Sequence, residues 1–258
     1  MVALVTAVEF RQELFGGTTK PLVLSCEDGD GEGQDYAVKL KTTRCFVYGL
    51  CCELVCCHLA AMLGISALVP AIVDVTAAFV ETVPQDRSRN RLRESLGANF
   101  GTKLLTGGYS TWPRAKPLSP ALRNPACEIL CFDVLIQNLD RRPEKPNILW
   151  KDNELVVLDH ELALPFPFLI GCREPWTDQF SQGVRGHLFF EQLRRGPFET
   201  GRFQRALEAV SDDDFEKLLN LIPHEWIEAD RIQTLKDYFP RRRDSANTWI
   251  ESIRRELQ

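Results

Sequence analysis

A chain of 258 residues, 44% hydrophobic and 26% charged, has the composition of a folded globular protein, which excludes wholesale disorder. The net charge of −5 argues against nucleic-acid binding by bulk electrostatics, so direct nucleic-acid binding is not expected. No apolar run approaches the ~20 residues of a membrane span, and "MVALVTAVEFRQELF" lacks the basic start and small-residue cleavage site of a signal peptide, so no membrane partner is expected.

The first 85 residues read as a small sheet with one helix. "LVTAVEFRQEL" is a strand, "FGGTTKP" a glycine turn, "LVLSC" a second strand, "EDGDGEGQD" a polar turn and "YAVKLK" a third strand, together an antiparallel meander. The turn "DGDGEG" opens like a calcium loop. Its twelfth position, where calcium needs a bidentate Glu, is Lys39, so a hairpin tip is expected instead. A helix follows from Cys45 and stops at Gly64. "LVPAIVDV" and "AAFVETV" read as two more strands.

The helix carries the densest group of the nine cysteines, Cys51, Cys52, Cys56 and Cys57, with no CxxC spacing and only His58 beside it. On a helix Cys52 and Cys56 share a face with Leu59 and Leu63, which is core packing. Buried free thiols and a reducing, cytoplasmic location are the expectation.

"PQDRSRNRLRESLGAN" is a charged, turn-rich section suited to a lobe boundary, and "GTKLLTGGYSTWPRAKPLSP" reads as a loop with Pro113, Pro117 and Pro120 breaking any helix. "PACEILCFDVLIQNL" is a buried helix with an Ile129, Phe132, Ile136 stripe widened by Leu130, Val134 and Leu135. "GHLFFEQLRRG", "TGRFQRALEAV", "SDDDFEKLLNLI" and the last 31 or so residues are amphipathic helices, the last broken near Pro240. Ser211 before Asp212, Asp213 and Asp214 is an N-cap with acids in the first turn. Arg241, Arg242 and Arg243 read as a solvated helix start.

The chemistry lies in the order of parts. A glycine turn and a strand lysine, Lys39, precede Glu53, the one acid in the Cys45–Gly64 helix. An acid among "CC" and "LVCC" is costly unless paired, so Lys39 is expected beside it. Much later, "DRRPEKPNILWKDNELVVLD" places Asp140 in a loop, Asn147 at its end, two short strands around the turn "KDNE", and Asp159 at the exit of the second strand. This is the order of a protein-kinase-like phosphotransferase: a phosphate-binding Lys, a Glu that holds it, a loop acid, and an amide and a carboxylate as oxygen ligands for Mg²⁺. An ordinary hairpin with Asp and Asn as turn residues is the bland alternative.

These segments resemble the HipA-like kinases and, more distantly, the phosphatidylinositol kinases, which share a "DR" loop, an "NIL" strand start and an "(I/L)D" strand end. The resemblance also takes in "FGGTTKPLVL", "YAVKL", "ELVCCHLAAMLGI", "GANFGTKLL" and "LDHELA". It implies an α+β, two-lobed kinase fold: a small antiparallel β lobe with one helix over residues 1–85, and a larger, mainly helical lobe over residues 86–258. It implies ATP and Mg²⁺ as cofactors. Gly16, Gly17, Thr18 and Thr19 would cover the phosphates, Lys39 would hold them, and Glu53 would orient Lys39. Asp140 would position or deprotonate the acceptor, and Asn147 and Asp159 would bind the metal. "VETVP", with Glu81 and Val83, would be the hinge along the adenine.

By the same resemblance the acceptor is a protein serine or threonine hydroxyl, with Thr18 and Thr19 as sites of self-modification and an antitoxin-like protein as a regulator. A small-molecule or lipid kinase and a nucleotide-binding pseudokinase are the alternatives. Two departures stand out. The kinase pattern sets Asn five residues after Asp, whereas here position 145 is Lys and Asn147 comes seven after. "LDHE" also replaces "DFG", which brings Glu161 near the metal position.

Overall fold

The computed structural model describes residues 2–14, 19–41, 47–165 and 183–258. Five strands, β1 (Ala3–Glu13), β2 (Leu22–Glu27), β3 (Gly33–Lys39), β4 (Pro70–Val75) and β5 (Gly97–Lys103), close a barrel in the order β1-β2-β3-β5-β4. The β1–β2–β3 meander is antiparallel as expected, but the barrel closes through a parallel β1–β4 pair, so the sheet is mixed. Register shifts between Ala7 and Glu9 and between Phe10 and Gln12 mark irregularities that bend the long β1. Leu22, Leu24, Val38, Val73 and Val75 fill the barrel.

Helix α1 (Val47–Met62) buries all four of its cysteines, and the seven described cysteines are free and buried. It ends in a Schellman turn: Gly64 has φ +69°, the Gly64 amide bonds the Ala61 carbonyl and the Ile65 amide bonds the Ala60 carbonyl. The hairpin tip uses Asp28 internally, its carboxylate accepting from the Asp30 and Glu32 amides at 3.0 and 3.1 Å.

Several elements differ from the sequence reading. "AAFVETV" is not a strand. Thr76 accepts from the Phe79 amide and starts a helix, α2 (Ala77–Thr82). A seven-residue apolar run carries no decisive period, and the cap decides it. Asp86 accepts from the Ser88 and Arg89 amides and starts a second short helix, α3 (Arg87–Arg93), within the charged section. "GANFGTK" is strand β5, not loop. Its glycines weaken the local signal, but it is paired on both sides, with β3 and with β4. A Cβ on Gly101 would come within 2.6 Å of the Val73 side chain, which marks the close packing of β5.

Beyond the barrel, helix α4 (Pro120–Leu135) begins at Pro120 rather than being broken there, since Pro is tolerated in the first helical turn. A hairpin follows, β7 (Ile148–Lys151) and β8 (Glu154–Val157), with a two-residue strand β6 (Ser110–Thr111) on its edge. Of the segment read as the helix "GHLFFEQLRRG", Phe190–Leu193 is helical, and His187 to Phe189 before it and Arg194 to Gly196 after it are turns and bends.

Helices Gly201–Ala209, Asp212–Leu219, Ala229–Asp244 and Ala246–Leu257 complete the chain, and Ser211 and Asp214 form a reciprocal capping box. The helix runs through Pro240 and breaks at Ser245, where the Ser245 hydroxyl takes the Arg241 carbonyl and the Trp249 indole takes that of Arg242. The arginine cluster is not a solvated start. Arg242 is buried and donates to the Val134 carbonyl, and Arg243 pairs with Asp212. One large apolar core joins α1, α4, the hairpin and these helices.

Among the described residues no helix is long and apolar enough to cross a membrane.

Candidate active site

Lys39 is the last residue of β3, and the alternation of that strand turns it away from the barrel interior filled by Tyr36 and Val38. Its ammonium meets three carboxylates: Glu53 from the middle of α1, Asp159 at 2.6 Å and Glu161 at 3.0 Å. Burial alone lowers the Lys39 pKa, but the three acids outweigh it and hold the value well above that of a free lysine. Glu53 is buried, which by itself raises its pKa; Lys39 and the neighbouring His160 reverse the shift and hold Glu53 ionised far below the ordinary carboxylate range. The His160 amide donates to Glu53 at 3.0 Å, so one carboxylate ties strand, helix and post-hairpin turn together. Lys41 turns elsewhere and pairs with Glu225.

The loop after α4 is built on a second buried acid. Asp133 accepts from Arg141 at 2.6 and 3.2 Å, from the Asn138 amide group at 2.9 Å, and from His187 at 3.0 Å. Burial raises the Asp133 pKa, yet Arg141 and His187 outweigh it and hold the value at about 2. Because the Phe189 amide donates to Nδ1 of His187, the proton sits on Nε2, facing Asp133. Arg141 also donates to the carbonyls of Asn147 and Leu158, and to Nε2 of His160 at 3.2 Å.

Asn147 precedes β7 and Asp159 follows β8, joined at the hairpin base by the Leu158 amide on the Asn147 carbonyl at 3.2 Å. Both residues have left-handed backbones, φ +47° and +60°, which turn their side chains off the strand line. Nδ2 of Asn147 is buried without a partner among the described residues. Asp140 is nearly buried and receives Lys145 at 2.5 Å and Arg142 at 3.3 Å. Lys145 also reaches Asp159 at 3.1 Å. The two extra residues of the loop are absorbed in a closed turn, with reciprocal backbone bonds between Arg142 and Lys145 at 3.1 and 3.0 Å. That turn aims Lys145 at the two acids.

The sequence profile of the HipA-like kinases matches residues 7–243. The chain belongs to the HipA-like kinase family. Its fold is similar to the crystal structure of a Helicobacter pylori proinflammatory kinase, CtkA, with a TM-score of 0.57 at 13% identity over the whole of both chains. No curated protein matches the chain. The chain is thus a kinase-type phosphotransferase of α+β fold.

For a HipA-like kinase, the structure brings Lys39, Glu53, Asp140 and Asp159 into one connected charge cluster, with Asn147 at the base of the same hairpin. Gly16, Gly17 and Thr18 lie outside the described residues. Thr19 is buried beside them, and its carbonyl accepts from Arg91 at 3.2 Å. Arg91 also takes the Lys20 carbonyl at 2.7 Å and the Glu13 carboxylate at 2.6 Å, and so grips both ends of the β1–β2 turn.

Glu81 and Val83 do not join the cluster. Glu81 lies exposed on α2 paired with Arg89 and Arg93, and Val83 is packed in the barrel core. "VETVP" leads into α3 and β5, and the chain leaves the barrel at Lys103. Sequence reasoning passed over Asp133, Arg141, His187 and Arg91. Asp133 was findable by the rule that found Glu53, an acid within an apolar helix; nothing local marks Arg91.

Proposed function

We propose that this protein transfers the γ-phosphoryl group of ATP to a serine or threonine hydroxyl of a protein, in a cleft between the barrel as a small lobe and the helical part as a large one. The observation that carries this reading is Lys39 bonded both to Glu53 and to Asp159, 120 residues further on. A buried lysine held charged by three carboxylates, one from α1 and two from the turn after β8, is a phosphate-binding group in waiting.

In this reading Lys39 grips the α- and β-phosphates and Glu53 fixes its position. Gly16, Gly17, Thr18 and Thr19 keep the phosphate-covering role that the family resemblance implies. The stretch after Lys103, Leu104 to Thr106, lies along the adenine in place of "VETVP". Asn147 and Asp159 fit Mg²⁺ by donor type and place, since an amide carbonyl oxygen and a carboxylate at the two ends of one hairpin are the oxygen ligands a hard cation takes. When bound, Mg²⁺ neutralises charge on the phosphate oxygens. Asp140 orients the acceptor hydroxyl and takes its proton. The acceptor oxygen forms a bond to the γ-phosphorus, the bond to the bridging oxygen breaks, and ADP leaves with that electron pair.

One observation favours a second reading, a nucleotide-binding pseudokinase: Lys145 neutralises Asp140 and reaches Asp159. Turnover separates the two. Purified protein incubated with γ-labelled ATP and Mg²⁺ is expected to yield ADP, with label on itself or on an added protein acceptor, and Asp140→Ala is expected to lose both while keeping its fold. Nucleotide binding without ADP formation in the wild type across acceptors rejects the kinase reading.

A further inference from the structure

The two oxygens of Asp159 are held by different ammonium groups: Oδ1 by Lys39 at 2.6 Å and Oδ2 by Lys145 at 3.1 Å. The two holds are unequal. The Lys39 side chain is 12% exposed and is tied to two further carboxylates, Glu53 and Glu161. Lys145 is 35% exposed and makes its shorter bond, 2.5 Å, to Asp140. Ion pairs open to water are weak and exchange readily, while buried, multiply bonded ones do not. Of the two oxygens, Oδ2 is therefore the one a divalent cation can win.

We propose that Lys145 is a catalytic residue of this kinase, an internal cation that competes with the metal for Asp159 before nucleotide arrives and moves onto the transferred phosphoryl oxygens when it does. This inference rests on the reading of Asp140 as acceptor acid and Asp159 as metal ligand. During transfer the γ-phosphoryl group lies between those two carboxylates, and in this structure that space is spanned by the Lys145 ammonium. The Arg142–Lys145 turn keeps the backbone fixed, so the change is a swing of one long side chain rather than a loop motion. No proton moves: Lys145 stays charged and exchanges carboxylate oxygens for phosphate oxygens. Position 145, where the protein-kinase pattern has its metal-binding amide five residues after the loop acid, holds a cation here instead.

The test uses Lys145→Met, of similar length without charge, and Lys145→Arg. Mn²⁺ binding without nucleotide is read by electron paramagnetic resonance, and kcat and KM for ATP are measured separately. Lys145→Met is expected to bind Mn²⁺ several-fold more tightly than wild type, because a competing cation is gone. Its kcat is expected to fall about 10²-fold or more with KM little changed, because the lost contact belongs to transfer rather than to binding. Lys145→Arg is expected to recover at least part of kcat and the weaker Mn²⁺ affinity. Equal Mn²⁺ affinity in Lys145→Met and wild type, or a Lys145→Met kcat within threefold of wild type, overturns the inference on Lys145 alone. A wild type that binds Mn²⁺ no better than Asp159→Ala overturns the metal role of Asp159, and this inference with it.

Discussion

Two clusters of charge lie side by side in this protein and differ in one respect. Between Asp140 and Asp159 the partners are shared and partly open to water: Asp159 serves two lysines, and Lys145, 35% exposed, serves two aspartates. Around Arg141, itself fully buried, the partners are Asp133, His160 and the carbonyls of Asn147 and Leu158, and His187 donates to Asp133 behind them. The first cluster can trade its partners for a ligand, and the second cannot. Chemistry requires ion pairs that are able to break, and the site stays in register because the pairs behind it are not.

That contrast can be broken from either side. On the exchangeable side, Asp159→Ala is expected to lower phosphoryl transfer about 10³-fold or more while leaving the urea midpoint near wild type. An Asp159→Ala protein that keeps its turnover removes the chemical half of the comparison. On the enclosed side, Arg141→Met is expected to cost about 3–5 kcal/mol in urea unfolding, because Asp133 is left buried and unpaired. A loss below ~1 kcal/mol there would show that the enclosed cluster is dispensable.

The pH dependence sharpens the same point. Asp133 has a folded pKa of about 2, below its unfolded value near 4, so its pairing stabilises the fold above about pH 4 and is lost as pH falls through 2. That contribution is on the order of 2 kcal/mol. Urea midpoints of wild type and Asp133→Asn are therefore expected to converge between pH 5 and pH 2. A constant gap means that Asp133 is not the linked group. The smallest effect on activity is expected at Arg91, which grips both ends of the β1–β2 turn from outside both clusters. Arg91→Ala is expected to raise KM for ATP a few-fold with a stability loss of about 1–2 kcal/mol, since its largely enclosed bonds to Glu13 and to the Thr19 and Lys20 carbonyls are lost. An unchanged KM separates that grip from nucleotide binding.

Much of this was legible in the chain, for reasons that are local. Glu53 in an apolar helix demanded a partner, and the structure supplies Lys39. The short apolar runs "ILW" and "LVVL" around "KDNE" formed the hairpin that sequence periodicity called for, because its turn is built from adjacent residues. Gly64 stopped α1 by its own backbone freedom. Where the reading failed, the deciding interaction was distant or the local signal neutral. "AAFVETV" had seven apolar-rich residues and no decisive period, and "GANFGTK" had two glycines and no alternation. Read as a strand, the first stood at the exit of the small sheet; as helix α2 it leads into α3 and β5, and the chain leaves the barrel only at Lys103.

The sequence by itself determined which residue types were available for phosphoryl transfer, their order, and the family to which the chain belongs, because spacing within a loop and polarity within a helix are properties of neighbouring residues. Only the tertiary structure decided that the barrel closes through a parallel β1–β4 pair, that Arg141 locks the hairpin base from beneath, and that Lys145 stands between two acids. Those contacts join residues whose meeting depends on how strands and helices pack across the core, and no local propensity encodes which distant charge a buried charge will find.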